Sequence, residues 1–274
     1  MFGRRCLSLF ALVLGAGSLM AVAGGRADAS VAATPSTTHV RPGDAVSDFV
    51  PGGLMKRPTG ATAHEVKNQT SSTNWSGYAA TGSAGQFNSV SSSWTEPAAD
   101  CTGSDDEYAA FWVGLDGYNS GSVEQTGTDS DCDGTTPDYY GWYEMYPADP
   151  VYFSNPVAPG DSMSASVTFS GTETYTLVLT DSTQDWTQTI TENESGLSRS
   201  SAEVITEAPS SESGVLPLAD FGTVGYGGSS ANGASMSTLD PTGIIIVDSG
   251  GNQEDTTSSM DGSGGFSNGW LRSN

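Results

Sequence analysis

Short runs of alternating apolar and polar residues recur along this chain, separated by turns rich in Gly, Asp and Pro. An alternation with a period of two is typical of β-strands that bury one face. Five such runs lie at residues 90–94, 110–115, 163–169, 175–180 and 244–247, and no stretch of the sequence has the period of a helix. The pattern therefore predicts an all-β fold, with one domain built as a β-sandwich.

The N-terminus has the pattern of a secretory signal. Arg4 and Arg5 precede an apolar run from Leu7 to Ala23, and Ala27 to Ala29 offers the small residues of a signal-peptidase site. We predict a signal peptide over residues 1–29 and a secreted, extracellular product. A membrane anchor is the alternative, but the apolar run is short and interrupted by glycines.

Residues 30–68 differ in composition from the rest of the chain. They contain both histidines and are rich in Pro, Ala and Thr, and their basic residues precede a strongly acidic region. We predict a pro-segment that docks electrostatically on the following domain and is shed at low pH, with a plain linker as the alternative. Residues 69–274 form the predicted folded domain.

Cys101 and Cys132 are the two cysteines that remain when Cys6 leaves with the signal peptide. An even pair in an oxidising compartment predicts a disulfide. It would close a loop of about thirty residues and stabilise the fold by roughly 3 kcal/mol. Two thiols without a neighbouring histidine cannot complete a structural zinc site, so we expect no bound metal.

Acidic residues dominate the predicted domain. After Lys67 the only basic residues are Arg199 and Arg272, against 28 aspartates and glutamates. This charge excludes nucleic acid as a partner, because phosphates need a basic surface, and it argues against an anionic membrane surface. Ordinary carboxyl groups have pKa values of about 4, so most would be neutral at a pH of about 3 to 4. The composition indicates adaptation to acid, with a halophile-type or simply soluble secreted protein as the alternative.

The predicted domain contains no histidine and no lysine. Their absence from the sequence excludes Ser–His–Asp, Cys–His and Ser–Lys nucleophilic systems, histidine-ligated zinc hydrolases and a Walker A nucleotide site. Carboxylates, amides and hydroxyls are the main groups that remain for catalysis, and we expect no cofactor.

Two kinds of carboxylate chemistry can be compared with the sequence directly. Residues 246–250 resemble the aspartic peptidase signature, but such enzymes need two aspartates that share a proton, and only one such motif is present. A plain turn is the better interpretation of that segment. A glycosidase with paired acids stays open, because Trp142 beside Glu144 is compatible with a sugar-binding platform.

Five motifs in a fixed order carry a more specific resemblance. They are 74–78 (NWSGY), 111–117 (FWVGLDG), 123–127 (VEQTG), 142–147 (WYEMYP) and 201–209 (SAEVITEAP). The series, which covers about residues 73–250, resembles the glutamic peptidases, or eqolisins, in a bacterial-type form. The resemblance implies a lectin-like sandwich of two large antiparallel sheets, a secreted precursor with a pro-segment, and endopeptidase activity in acid.

The resemblance also implies roles for individual residues. Gln125 matches the catalytic glutamine of the family, and Glu207 matches its catalytic glutamate. Trp112 and Glu144 match residues that line the same substrate cleft, and Asp116 lies in the matching Asp-Gly turn. Glu207 would act as general base and then general acid, while Gln125 would stabilise the oxyanion.

Three further positions qualify this transfer of roles. Glu203 shares a strand face with Glu207, because their spacing is even, and it competes for the catalytic role. Trp75 is a further candidate for the cleft wall. Tyr140 stands where the family usually has an aspartate, which leaves the cleft's hydrogen-bond network and pH optimum open. The cysteine pattern also differs from that of the fungal proteins, which leaves the bracing of the loops open.

The sequence therefore predicts a pepstatin-insensitive acid endopeptidase that acts on polypeptides. Its own pro-segment is the expected inhibitor, and a monomer is the expected state. The alternatives are a noncatalytic carbohydrate- or protein-binding sandwich on the same fold, or a glycosidase.

Overall fold

The computed structural model describes residues 53–59, 69–103 and 105–273. The predicted signal peptide lies outside the described residues, and so does the predicted pro-segment except for 53–59. The described part consists mainly of strands, with one short 3-10 helix at Met236–Leu239, which confirms the all-β prediction. That part of the chain holds no helix of the length and apolar character that a membrane span requires.

The first sheet has eight strands. In spatial order they are β1 (Gln69–Ser72), β16 (Thr242–Ile246), β2 (Trp75–Thr81), β11 (Ser201–Glu207), β4 (Ala110–Asp116), β5 (Val123–Asp133), β6 (Thr136–Tyr146) and β7 (Val151–Tyr152). Neighbouring strands are antiparallel except for the edge pair β1 and β16, which is parallel.

The second sheet is antiparallel throughout. Its strands in spatial order are β10 (Trp186–Asn193), β9 (Thr174–Asp181), β8 (Ser162–Phe169), β3 (Ser89–Thr95), β14 (Thr223–Ala231), β18 (Phe266–Trp270) and β17 (Asp255–Thr257). Two small additions are β15 (Ala234–Ser235), which pairs with β14, and the hairpin of β12 (Ser210–Ser211) and β13 (Gly214–Val215). The predicted sandwich of two large sheets is confirmed.

The main core lies between the two sheets and takes one side of each strand. On β4, Phe111, Val113 and Leu115 belong to this core and are fully buried. Burying a side chain of this kind stabilises a fold by about 1.5 to 3 kcal/mol. The residues between them, Trp112 and Gly114, face the opposite way, because successive side chains on a strand alternate.

The outer face of the first sheet carries a second apolar cluster, built around Trp75, Trp112 and Trp142. All three indoles are fully buried. Directly opposed residues on neighbouring strands share a face, so β2, β11, β4, β5 and β6 present their outer side chains together. This outer face, rather than the space between the sheets, holds most of the residues that the motifs single out.

Cys101 and Cys132 form the predicted disulfide, with Cα atoms 5.4 Å apart. The backbone of Cys132 also exchanges hydrogen bonds with Glu107 in both directions. The bridge therefore ties the loop that precedes β4 to the end of β5.

Candidate active site

Glu207 ends β11 on the outer face and is fully buried. Its carboxylate accepts hydrogen bonds from Trp112 Nε1 at 3.0 Å and from Asn74 Nδ2 at 3.0 Å. Burial raises the pKa of Glu207 well above its ordinary value, and these two bonds oppose that rise. Neutral donors that stabilise the ionised form are what a buried carboxylate needs if it is to act as a base.

The Trp112 indole is held in place by a second indole. Its ring meets that of Trp75 edge-on, with centroids 4.9 Å apart. Edge-on aromatic pairs contribute about 0.5 to 1.5 kcal/mol beyond their buried area. Trp75 therefore fixes the direction in which Trp112 Nε1 donates.

Gln125 and Glu144 lie directly opposite each other on β5 and β6. Gln125 Nε2 donates to Glu144 Oε2 at 2.6 Å, and both side chains are fully buried. Burial and then the negative charge of Glu207 raise the pKa of Glu144 well above its ordinary value. The bond orients the Gln125 amide, because one N–H is directed at Glu144 and the amide plane fixes the other.

Strand β4 lies between the amide and the carboxylate. Gln125 is opposite Gly114 and Glu207 is opposite Ala110, so the two side chains are two strands and four residues apart. Trp112 lies on β4 between these two positions, and a Cβ on Gly114 would stand 2.9 Å from its Cζ3. The glycine thus leaves room for the Trp112 indole, which donates to Glu207.

Glu203 lies four residues before Glu207 on the same face and is also fully buried. Burial raises its pKa well above the ordinary value, and the charges of Asp116 and Glu124 raise it further, while the nearby Ser201 hydroxyl opposes the rise. Other acids are therefore the charged groups that act on Glu203. The structure brings Glu203 to the acidic end of the outer face and Glu207 to the end with indole and amide donors.

Asp116 ends β4 with a positive φ of 71° and leads into the turn at Gly117. Its carboxylate accepts hydrogen bonds from the backbone N–H groups of Arg199 at 2.5 Å and Ser200 at 2.9 Å. These bonds fix the segment that enters β11. The structure thus assigns Asp116 a role in holding this segment.

Tyr140 places its hydroxyl 2.9 Å from Asp129 Oδ2 and 2.6 Å from Asp131 Oδ2. Trp142 Nε1 donates to the other oxygen of Asp129 at 2.5 Å. A tyrosine hydroxyl has a single proton to donate, so both contacts are full hydrogen bonds only when one carboxyl is protonated. Tyr140 therefore joins two acids of the neighbouring strand β5 through its hydroxyl group.

Residues 53–59, here called the strap, lie against the outer face of the domain. Trp75 Nε1 donates to the carbonyl oxygen of Gly53 at 3.1 Å, and Met55 N–H donates to Gly117 O at 3.3 Å. The side chains of Leu54 and Met55 pack on the outer apolar cluster. This short part of the predicted pro-segment thus contacts the same surface as the candidate catalytic residues.

Lys56 brings a positive charge to that surface. Its Nζ donates to Ser210 Oγ at 2.6 Å. Burial lowers the pKa of Lys56, while the negative charge of Glu207 opposes that change. The next residue, Arg57, stacks its guanidinium over Tyr118 at 5.0 Å from the ring centroid.

Asn74 is a site residue that the sequence analysis did not single out. Its side chain is fully buried and bonds both to Glu207 and to the backbone of the strap. The signal in the sequence was its place at the head of the first motif, directly before Trp75. Its partners are more than a hundred residues downstream and about twenty upstream, so spacing alone could not reveal them.

Comparison with known proteins matches residues 73–268 to the Peptidase A4 family. The chain belongs to this family. The match covers most of the chain and confirms the eqolisin resemblance of the five motifs.

Two curated peptidases are similar to this A4 family member over part of their length. Aspergillopepsin-2 of Aspergillus niger is 31% identical over 149 residues, which is 52% of each chain. Scytalidopepsin B of Scytalidium lignicola is 34% identical over 147 residues, 52% of this chain and 54% of the relative. The aligned part thus spans about half the length of these relatives.

Solved structures of A4 relatives share the fold over a longer stretch. The crystal structure of scytalido-glutamic peptidase with a transition state analog inhibitor has a TM-score of 0.62 and 27% identity, and the match covers 73% of this chain and 98% of that one. The structure of aspergilloglutamic peptidase from Aspergillus niger has a TM-score of 0.53 and 25% identity.

Proposed function

We propose that this A4 family member is a secreted endopeptidase, active in acid, that uses Glu207 and Gln125 as its catalytic pair. The observation that carries the proposal is the setting of Glu207, a buried carboxylate that receives neutral N–H donors from Trp112 and Asn74. Family membership supports peptide-bond hydrolysis, and one solved relative is a complex with the tripeptide Ala-Ile-His.

In the proposed reaction, ionised Glu207 accepts a proton from a water molecule as the water oxygen attacks the peptide carbonyl carbon. The carbonyl oxygen becomes an oxyanion, and the Gln125 amide donates a hydrogen bond to it. The C–N bond then breaks as protonated Glu207 gives its proton to the departing amine. General acid–base catalysis of this kind typically contributes about 10²- to 10⁴-fold to a rate.

Gln125 suits acid chemistry because an amide stays neutral and keeps its N–H donors at any pH. Its bond to Glu144 orients the amide before substrate arrives, so little reorganisation is needed in the transition state. Acid also neutralises Glu144, whose pKa burial raises well above its ordinary value. A neutral Glu144 removes a negative charge that would oppose the developing oxyanion.

We further propose that the strap inhibits the enzyme until it reaches acid. Lys56 lies close enough to Glu207 for each charge to influence the pKa of the other. Acid neutralises the many carboxylates that give the domain its negative charge, so it weakens the attraction of the domain for the basic strap. Release of the strap would also return water to Glu207, lower its pKa and restore the ionised base.

The test of the catalytic pair is casein digestion at a pH of about 3 to 4, with and without pepstatin. Wild-type protein is expected to cleave casein in both conditions. Glu207→Gln and Gln125→Ala are each expected to lower kcat by at least about 10²-fold while the fold stays intact by circular dichroism. An inert wild-type protein, or full activity in Glu207→Gln, would refute the proposal.

The test of the strap compares Lys56→Met with Lys56→Arg in the full-length chain. The first variant removes the positive charge that acts on Glu207, whereas the second keeps a positive charge at the same position. Lys56→Met is expected to become active faster and at higher pH than wild type, whereas Lys56→Arg should stay close to wild type. Identical activation curves for Lys56→Met and wild type would argue against an inhibitory strap.

A further inference from the structure

The Asn74 amide uses all of its hydrogen-bonding capacity at the boundary between the strap and Glu207. Nδ2 donates to the Leu54 carbonyl oxygen at 3.1 Å and to Glu207 Oε1 at 3.0 Å. Oδ1 accepts from the Lys56 N–H at 2.7 Å and from Ser72 Oγ at 3.0 Å. If the amide were flipped, its oxygen would point at a carbonyl oxygen and a carboxylate, neither of which can donate a hydrogen bond. These partners therefore fix the orientation of the Asn74 amide.

The contacts between Asn74 and the strap involve backbone atoms of the strap alone. The amide binds the C=O of Leu54 and the N–H of Lys56, the two groups that flank Met55 on one side of an extended chain. A single residue of a parallel strand makes this same pair of bonds to its neighbour. Asn74 therefore holds the strap through backbone atoms, without a contact to the strap's side chains.

A second backbone contact fixes the position of the strap along this surface. The N–H of Met55 donates to Gly117 O. The N–H groups of two consecutive residues, Met55 and Lys56, are thus both bound by the domain. Proline has no N–H, so a peptide with proline at either position would lose one of these bonds.

We propose that Asn74 binds the backbone of peptide substrates in the way that it binds the strap, and that it positions Glu207 against the bound peptide. The inference rests on the proposed function, since it concerns the same carboxylate and the same polypeptide substrates. The strap then marks the path of the substrate, and the cleft selects extended segments that have free N–H groups at two consecutive positions.

The main test is steady-state kinetics of the full-length protein with a fluorogenic peptide at several acid pH values. Asn74→Ala is expected to raise KM about tenfold, through loss of the peptide contacts, and to lower kcat about tenfold, through loss of the bond that positions Glu207. Asn193→Ala is the matched control, because it removes an exposed amide at the end of β10 that bonds to Thr174. The control should keep wild-type constants.

Asn74→Asp keeps the shape of the side chain and an acceptor for the substrate N–H but loses the amide donors. A second carboxyl group about 3 Å from Glu207 would raise the pKa of Glu207, so the rising limb of the pH–rate profile should move to higher pH. A merely structural role for Asn74 would lower the active fraction without moving that limb or KM. This variant also tests the proposal if Asn74→Ala does not fold.

A proline scan of the peptide substrate on wild-type protein gives an independent measurement. We expect a single proline to lower the cleavage rate at least about tenfold at each of two consecutive positions of the peptide. These are the positions whose N–H groups correspond to those of Met55 and Lys56 in the strap. If both Asn74 variants keep the KM and the pH profile of the wild type while Glu207→Gln is inactive, this inference is overturned and the proposed function stands. An inert wild-type protein would overturn the proposed function as well.

Discussion

The two ends of the outer face of β11 carry the same residue in two different settings. Glu207 and Glu203 are both fully buried glutamates, four residues apart on one strand, and burial raises the pKa of both. At Glu207 the neighbours are neutral donors and a lysine. At Glu203 they are a serine and two further acids, Asp116 and Glu124.

This difference separates a carboxylate that can act as a base from one that is held as an acid. Donors stabilise the ionised form of Glu207, whereas neighbouring negative charges favour the neutral form of Glu203. Burial and a raised pKa are therefore not enough to identify a catalytic group. The partners of the carboxylate, and the peptide segment that lies over it, distinguish the two.

The largest expected effect comes from exchanging each glutamate for glutamine. Glu207→Gln should lower kcat on the order of 10³-fold, because it removes the proposed base and acid. Glu203→Gln should change kcat by less than about threefold, since the group is already neutral in acid. Initial rates on casein at acid pH measure both effects. If Glu203→Gln were the inactive variant and Glu207→Gln the active one, the assignment of the two ends would be reversed.

The second prediction concerns stability and pH. Burial raises the pKa of Glu96, Glu254 and Asp255 to about 7 and that of Glu124 to about 8. Unfolded carboxyls titrate near a pH of about 4, so between about pH 4 and 8 the folded state binds more protons than the unfolded state and stability falls as pH rises. The melting temperature should therefore be highest in acid and decrease toward neutral pH.

Glu124→Gln tests this dependence of stability on pH at the buried carboxyl group of Glu124. The substitution removes one ionisation and should stabilise the fold on the order of 3 kcal/mol at about pH 8, with little effect at about pH 3. Asp138→Asn is the control, because Asp138 lies on the exposed part of β6 whereas Glu124 is buried. Melting curves that rise from acid to neutral pH in the wild type would contradict the prediction.

The sequence predicted the strands that have one apolar face and one polar face. In β8, Met163, Ala165 and Val167 alternate with polar residues, and the period of two is visible without the structure. Strand β5 has no such pattern, because polar residues occupy both of its faces. Two of its hydroxyl groups, those of Thr128 and Ser130, donate to Glu96, which directly follows β3. Local periodicity cannot report contacts of this kind.

The site was predictable only in part for a similar reason. Gln125 and Glu207 came from family motifs, not from spacing, and their roles stay predictions. The parallel pairing of β1 with β16 and the contact of Lys56 with Ser210 join residues more than 150 positions apart. No property of residues 53–59 other than their basic composition indicated that they would lie beside Glu207.

The smallest expected effect concerns the hydroxyl that joins two acids near the Glu207 end. Tyr140→Phe removes the partner shared by Asp129 and Asp131 and should destabilise the fold by about 1 to 2 kcal/mol. The loss should be larger at neutral pH than in acid, because two ionised carboxylates would then face each other without the hydroxyl between them. Chemical denaturation at both pH values measures it, with Tyr139→Phe on the same strand as the control. An equal loss at both pH values would show that the hydroxyl contributes ordinary packing and hydrogen bonding, and that the acid pair beside it does not share a proton.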